Sequence, residues 1–270
     1  MRMPALLTVF FLMSACFWSD DTPKTIRILG ETMGTTYRVT IVDAPEQLTQ
    51  KALTDGINAT LETVNAQMSN WDPNSEVSQF NTNRGTTPVK SSEAFLSVIA
   101  AAEDIHIKSG GLFDVTITPL INLWGFGPKT PDKPMPSQAD IQQALAQVGH
   151  SRLLHWNDSQ KTLQKSHPDV SINLSAIAKG YGVDQVAGYL AATGITRYLV
   201  EIGGDLVTAG LNPEGKPWSI GIETPDALTQ TVQTIVELSG QAMATSGDYR
   251  NFFEQDGVRY SHIINATTGW

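Results

Sequence analysis

Five stretches of the sequence combine residue types that can hold an anion or move a proton. "SINLSAIAKGYGVD" (171–184) sets Ser175 and Lys179 where a strand-like apolar run, "VSIN", turns into a helical pattern of Ile177, Tyr181, Asp184 and Ala187. A helix start exposes unpaired N–H groups and a positive dipole end. Ser175 as N-cap, with Lys179 one turn in, would therefore seat a phosphate. A capped amphipathic helix with a solvated lysine uses the same residues, so this stretch alone does not decide. "TMGTTY" (32–37), "GGLFDVT" (110–116), "EIGGDL" (201–206) and "ATSGDYR" (244–250) each set hydroxyls or an acid beside glycine, with Asp114 expected at the mouth of a strand. Glycine at strand ends permits positive φ and close backbone approach to a ligand. Ordinary tight turns are built from the same residues. Together, the four ends and the helix start predict a shared ligand floor. His262, at a strand end beside the terminal glycine turn, is the candidate general base, and a structural histidine fits that position equally. His106, His150, His155 and His167 are expected to be structural or on the surface.

Several chemistries are excluded. No GxGxxG opens a βα unit and no lysine follows a Walker-type glycine loop; HExxH and CxxC are also missing, which argues against a classical zinc site. The 270 residues carry 18 Lys and Arg against 27 Asp and Glu, a net charge of −9. That balance argues against a nucleic-acid partner. A phosphate ligand must then be held by local geometry and a few cations, for which metal assistance would be natural. The N-terminus "MRMPALLTVFFLMSAC" has a basic start, an apolar run too short to span a bilayer, and small residues before Cys16, the one cysteine of the chain. No intrachain disulfide is possible. "MSAC" resembles a bacterial lipobox, although Met13 is less usual there than Leu; a cleaved signal with an incidental cysteine is the alternative. The expected organisation is a signal peptide at 1–15, a tether at 16–24 behind a lipidated Cys16, and one domain at 25–270. It would be anchored to the membrane on the periplasmic or exterior face.

The elements that must position these residues read as α+β, with helices mostly in the first half and strands close together in the second. "TIRILG" and "TTYRVTIVD" alternate as two strands joined at "ETMG". Leu53, Ile57, Leu61, Val64 and Met68 mark an amphipathic helix that ends near the turn-rich "MSNWDPNS". A second helix spans about 92–108 with Phe95, Val98, Ile99, Ala102 and Ile105 inward, closed by Gly110 and Gly111. "LFDVTITPLINLWGFG" reads as strand, then as an aromatic, glycine-rich segment, and the Pro-rich "KTPDKPMP" connects it to a short helix capped by Ser137. The lysine-bearing helix ends near Gly194. "RYLVEIG", "DLVTAG", "WSIGIET", "TIVELSG" and "VRYSHII" read as strands. The chain stops on a Thr-Thr-Gly turn, so a further C-terminal part is expected.

"ETMGTTY", "MSNWDPNSEVSQFN", "GGLFDVTITPLINLWGFG", "NLSAIAKGYGVD", "EIGGDL", "ATSGDYR" and "HIINATTG", in this order, resemble the ApbE family of flavin transferases from about Ile28 to Gly269. The resemblance implies an α+β, T-fold-related, two-lobed domain with FAD in the cleft between lobes. It implies a Mg²⁺-dependent reaction in which FAD is cleaved, AMP leaves, and FMN is attached to a threonine of a target protein. Family targets are subunits of membrane redox pumps, and some members hydrolyse FAD to FMN and AMP instead. A flavin-binding lipoprotein without catalysis is a further alternative. Matched by motif, Met33 and Trp71 should border the nucleotide, Leu112, Phe113 and Asp114 should line the cleft, and Lys179 should face the diphosphate. Ile264 should pack on the cofactor, and Ala176 should offer a backbone oxygen to magnesium. Asn173 takes a cofactor-binding position where the family usually has Asp. Asp248 and His262 are expected near the incoming threonine, with His262 as base. "HIINATTG" also departs from the commoner "HIIDPRTG" at Asn265, Ala266 and Thr267. The family's "ADAWDT"-like segment of magnesium carboxylates is absent, which predicts weak metal binding and poor turnover.

Overall fold

The structure, a computed structural model, describes residues 22–127, 135–225 and 231–270. The expected signal peptide, Cys16 and most of the tether and of the Pro-rich connection lie outside the described residues. Strands β1 (Thr25–Thr32) and β2 (Thr35–Val42) pair antiparallel with Thr32 opposite Thr35. Met33 and Gly34 make the turn with φ of 51° and 72°. Two left-handed residues match the twist of a tight hairpin.

Helix α1 (Gln50–Met68) buries all five residues its spacing singles out. Helix α2 (Glu76–Thr82) is capped by Ser75 and followed by β3 (Val89–Lys90). Helix α3 (Glu93–Lys108) starts at Ser92, whose hydroxyl accepts from the Phe95 N–H. It ends in N–H bonds from Gly110 to the Ile107 carbonyl and from Gly111 to the His106 carbonyl. The buried face of α3 stops at Ala102, so Ile105 is exposed rather than inward.

The segment read as a strand after Gly111 forms instead a turn and helix α4 (Thr118–Leu123). A proline in its first turn presets a helical φ and overrides the β-branched residues around it. Helix α5 (Gln138–Leu145) opens with a capping box between Ser137 and Asp140. Helix α6 (His150–Leu153) leads into the hairpin of β4 (Leu154–Asn157) and β5 (Thr162–Lys165), which completes a β3-β5-β4 sheet.

"VSIN" is not a strand. Two asparagine side chains, rather than a partner strand, take its backbone groups. The Ile172 N–H donates to Asn81 Oδ1, the Ile172 carbonyl accepts from both Asn70 and Asn81, and the Leu174 N–H donates to Asn70 Oδ1. This clamp fixes the approach to helix α7 (Ala178–Ala192).

The expected second-half strands are all present, as β6 (Tyr198–Ile202), β7 (Asp205–Ala209), β8 (Trp218–Glu223), β9 (Val232–Leu238) and, beyond β10 (Ala242–Met243) and β11 (Phe252–Gln255), β12 (Val258–Ser261). The main sheet runs β1-β2-β6-β7-β10 and is antiparallel throughout.

Two apolar cores meet along a seam. One lies between this sheet and the helices α1 and α7, with Ile57, Leu61, Val186, Leu190, Val200 and Ile202 buried. The other gathers Val64, Met68, Phe95, Ile99, Leu163, Ile172 and Ala178. Helix α1 therefore serves one core with its first turns and the other with its last; α7 does the same in reverse. Each large aliphatic side chain buried here contributes about 1.5–3 kcal/mol. Met33 packs against both cores.

Candidate flavin-nucleotide site

The seam opens into a pocket of about 230 Å³ whose wall includes Met33, Asn65, Asn70, Trp71, Ser175 and Lys179. The volume accommodates part of a dinucleotide. Gly182 is what lets the β1–β2 turn reach α7: a Cβ there would sit 2.8 Å from Met33 Cε. Trp71 stands on the rim, 68% exposed. Its loop is tied down by Ser69, whose hydroxyl accepts from the N–H groups of Trp71 and Asp72.

Ser175 reaches the pocket but is not the helix cap. Helix α7 begins at Ala178 with Ile177 in the cap position and no side-chain cap bond. Before the helix the chain folds into a turn, in which Asn173 Oδ1 accepts from the Ser175 N–H at 2.9 Å. Asn173 thus shapes the pocket loop through its oxygen, a role that needs no charge. The N–H groups of Ile177 and Ala178 both reach the Leu174 carbonyl. Among the described residues, the N–H groups of Ala176, Lys179 and Gly180 and the Ala176 carbonyl have no protein partner. Unspent first-turn donors beside a lysine are the arrangement that binds phosphate.

Lys179 is half-buried, with Nζ donating to the Gly203 carbonyl at 3.0 Å and lying 3.4 Å from Asp205 Oδ2. Three of the four glycine-marked ends converge here. Gly203 donates to the Thr36 carbonyl, Gly204 donates to Glu201 Oε1, and the Thr245 hydroxyl donates to the Gly204 carbonyl.

The fourth end lies elsewhere, which corrects the expectation for Asp114. That residue is 6% exposed and sits in a turn, not at a strand mouth. Its carboxylate accepts from the Thr116 N–H and hydroxyl and from the His150 N–H, with His106 Nδ1 3.4 Å away. His106 Nδ1 itself bonds the Phe113 carbonyl at 2.8 Å. Leu112 is exposed and Phe113 half-buried against the second core; neither they nor Asp114 line the pocket. Ile264 is likewise placed in a third core with Leu120, Trp124 and Ile141 rather than on the pocket wall.

His262 and Asp248 are exposed and outside the pocket lining. His262 Nδ1 lies 3.1 Å from the Asn251 carbonyl, which assigns the proton to Nδ1 and leaves Nε2 as the acceptor. Asp248 sits in a loop tied to Glu223 by bonds from Tyr249 and Arg250. Asn265 accepts from the Thr267 N–H and hydroxyl and the Thr268 N–H. A neutral amide oxygen suffices for that. Among the described residues, no group of three or more His, Cys, Asp or Glu side chains is arranged to hold a metal ion.

Ser69 and Asn70 lie in the polar, turn-rich "MSNWDPNS" that follows an amphipathic helix, and Asn65 lies within that helix, where the apolar spacing does not mark it.

Comparison with known proteins identifies the family and the fold. The family model described as "ApbE family" matches residues 33–270. An FAD:protein FMN transferase of Vibrio cholerae is 42% identical over 263 residues, covering 97% of this chain and 77% of the relative. One from Haemophilus influenzae is 41% identical over 251 residues, covering 92% and 72%. The solved flavin transferase ApbE from Vibrio cholerae superposes with a TM-score of 0.82 at 42% identity, covering 92% of this chain and 78% of that one. With its α+β fold, its seam pocket and these likenesses, the chain belongs to the ApbE family.

Proposed function

We propose that the protein transfers FMN from FAD to a threonine hydroxyl of an acceptor protein and releases AMP. The observation that carries this reading is the pocket in which Lys179, beside the unspent amides at the start of α7, meets Met33 and Trp71. Lys179 and the amides of α7 bind the diphosphate and oppose the charge that develops on it. Met33 and Trp71 border the nucleotide. The threonine oxygen attacks the phosphorus of the FMN half, the bond from that phosphorus to the bridging oxygen breaks, and AMP departs with the oxygen. The threonine proton passes to Nε2 of His262, which Asn251 holds in the accepting tautomer, and Asp248 flanks the incoming hydroxyl.

Magnesium belongs to this proposal through the Ala176 carbonyl. One neutral oxygen is not a resident magnesium site, because that ion is bound through one or two carboxylates together with water and substrate phosphates. No step is therefore routed through it. The acceptor is proposed to be a subunit of a membrane redox pump, met at the extracytoplasmic face by an enzyme anchored through Cys16. Incorporation of labelled palmitate that is lost in Cys16→Ser tests the anchor.

Incubation with FAD, magnesium and a threonine-bearing acceptor peptide tests the function. Covalent flavin fluorescence on the peptide with equimolar AMP is the expected result. Free FMN with AMP and an unmodified peptide would make the protein a hydrolase, and unchanged FAD would make it a binder.

A further inference from the structure

The corner between β6 and β7 is shaped around the stem and head of Lys179. Ile202 pairs with Asp205, so Gly203 and Gly204 form a two-residue loop, with φ of 53° and 94°. A Cβ on Gly203 would lie 3.3 Å from Lys179 Cδ and 2.7 Å from Thr35 Cγ2. The lysine stem therefore runs through space that only glycine leaves open. At its end, Nζ meets the Gly203 carbonyl and the Asp205 carboxylate. The corner is held firmly by Thr36, Glu201 and Thr245 through both glycines. An ammonium group has three donors, and this corner engages it on two sides. Asp205 is 14% exposed at its side chain and does not line the pocket; it stands behind the lysine.

We infer that Asp205 is a positioning residue that parks the Lys179 ammonium on the Gly203 carbonyl and makes a diphosphate compete for it. This rests on the reading of Lys179 as a diphosphate ligand. A fixed carboxylate behind the lysine neutralises its charge in the substrate-free site and repels phosphate that approaches it. Both effects loosen the binding of FAD and of the released AMP. Asp205 is thus a residue whose removal tightens the nucleotide, opposite to what loss of a merely structural residue does.

The test uses Asp205→Asn in the intact protein, with Asp205→Ser as a second variant should the first fail to fold. Two readouts are taken. One is exchange of the Lys179 ammonium protons with water, followed by ¹⁵N NMR without flavin. The other is FAD affinity by fluorescence titration without acceptor. The expected results are faster proton exchange and FAD binding tightened about two- to fivefold, the scale of a part-exposed ion pair. The affinity gain should vanish in the Lys179→Met background. Unchanged proton exchange, weaker FAD binding, or a gain that persists without Lys179 overturns the inference. Faster exchange with unchanged FAD affinity supports the parking of the lysine and overturns the assignment of Lys179 to the diphosphate.

Discussion

At residues 203–205 an acid follows a glycine pair and faces a half-buried lysine on a pocket wall. At residues 110–114 an acid again follows a glycine pair, but it is buried among backbone and hydroxyl donors. The first corner is a hairpin turn pressed against the start of α7, where unspent amides collect. The second closes α3 and bends the chain towards α4, so its carboxylate is consumed in holding Thr116 and His150. Glycine next to acid therefore marks a sharp turn, and the element that the turn abuts decides whether the acid serves a ligand or the fold. The contrast predicts opposite mutational signatures for the two corners.

The largest effect should come from the pocket side. Lys179→Ala should lower kcat/KM for flavin transfer about 10²–10³-fold, far more than the small drop in thermal midpoint from losing its bond to Gly203 and its pairing with Asp205 accounts for, because it removes charge stabilisation. Transfer assays paired with melting curves check this. His262→Asn should follow, with about a 10²-fold loss of transfer and FAD affinity retained, as expected for a base that touches only the acceptor proton.

At the other corner, Asp114→Ala should cost about 2 kcal/mol in urea unfolding, since the Thr116 and His150 N–H groups lose their acceptor. FAD affinity of the folded protein should change little.

The smallest effect concerns His150, whose ring is fully buried and whose pKa is lowered by burial, against the opposing pull of Glu103 and Asp114 and with His106 adding to the lowering. The unfolded ring takes up a proton near pH 6.5 and the folded ring only at lower pH, so stability is lost as pH falls from there towards the folded value. The loss between pH 7 and 5.5 should be no more than about 1 kcal/mol, the limit set by the unfolded ring's own titration, and His150→Gln should flatten it.

Periodic and local features were legible in the sequence. Five apolar residues at helical spacing specify α1, and Ser137 marks the start of α5. The hairpin at Met33 and Gly34 and the second-half strands follow from alternation and turn residues. Features set by distant partners were not legible. "VSIN" has the composition of a strand, yet its pairing groups belong to Asn70 and Asn81, about 90–100 residues earlier in the chain. Ser175 has the type of a cap, yet the Ile177 and Ala178 N–H groups both turn back to the Leu174 carbonyl and the helix starts at Ala178. The site was legible as a set of glycine-marked ends, three of which do converge. Which acid would face the lysine depended on packing between elements that are far apart in sequence.

The most direct test of the central claim is a structure of the protein with FAD bound. The account predicts the diphosphate within hydrogen-bond reach of Lys179 Nζ and of the N–H groups at the start of α7, with Trp71 against the nucleotide. FAD bound away from the seam, with Lys179 still on Gly203 and Asp205 and those N–H groups facing water, would contradict it.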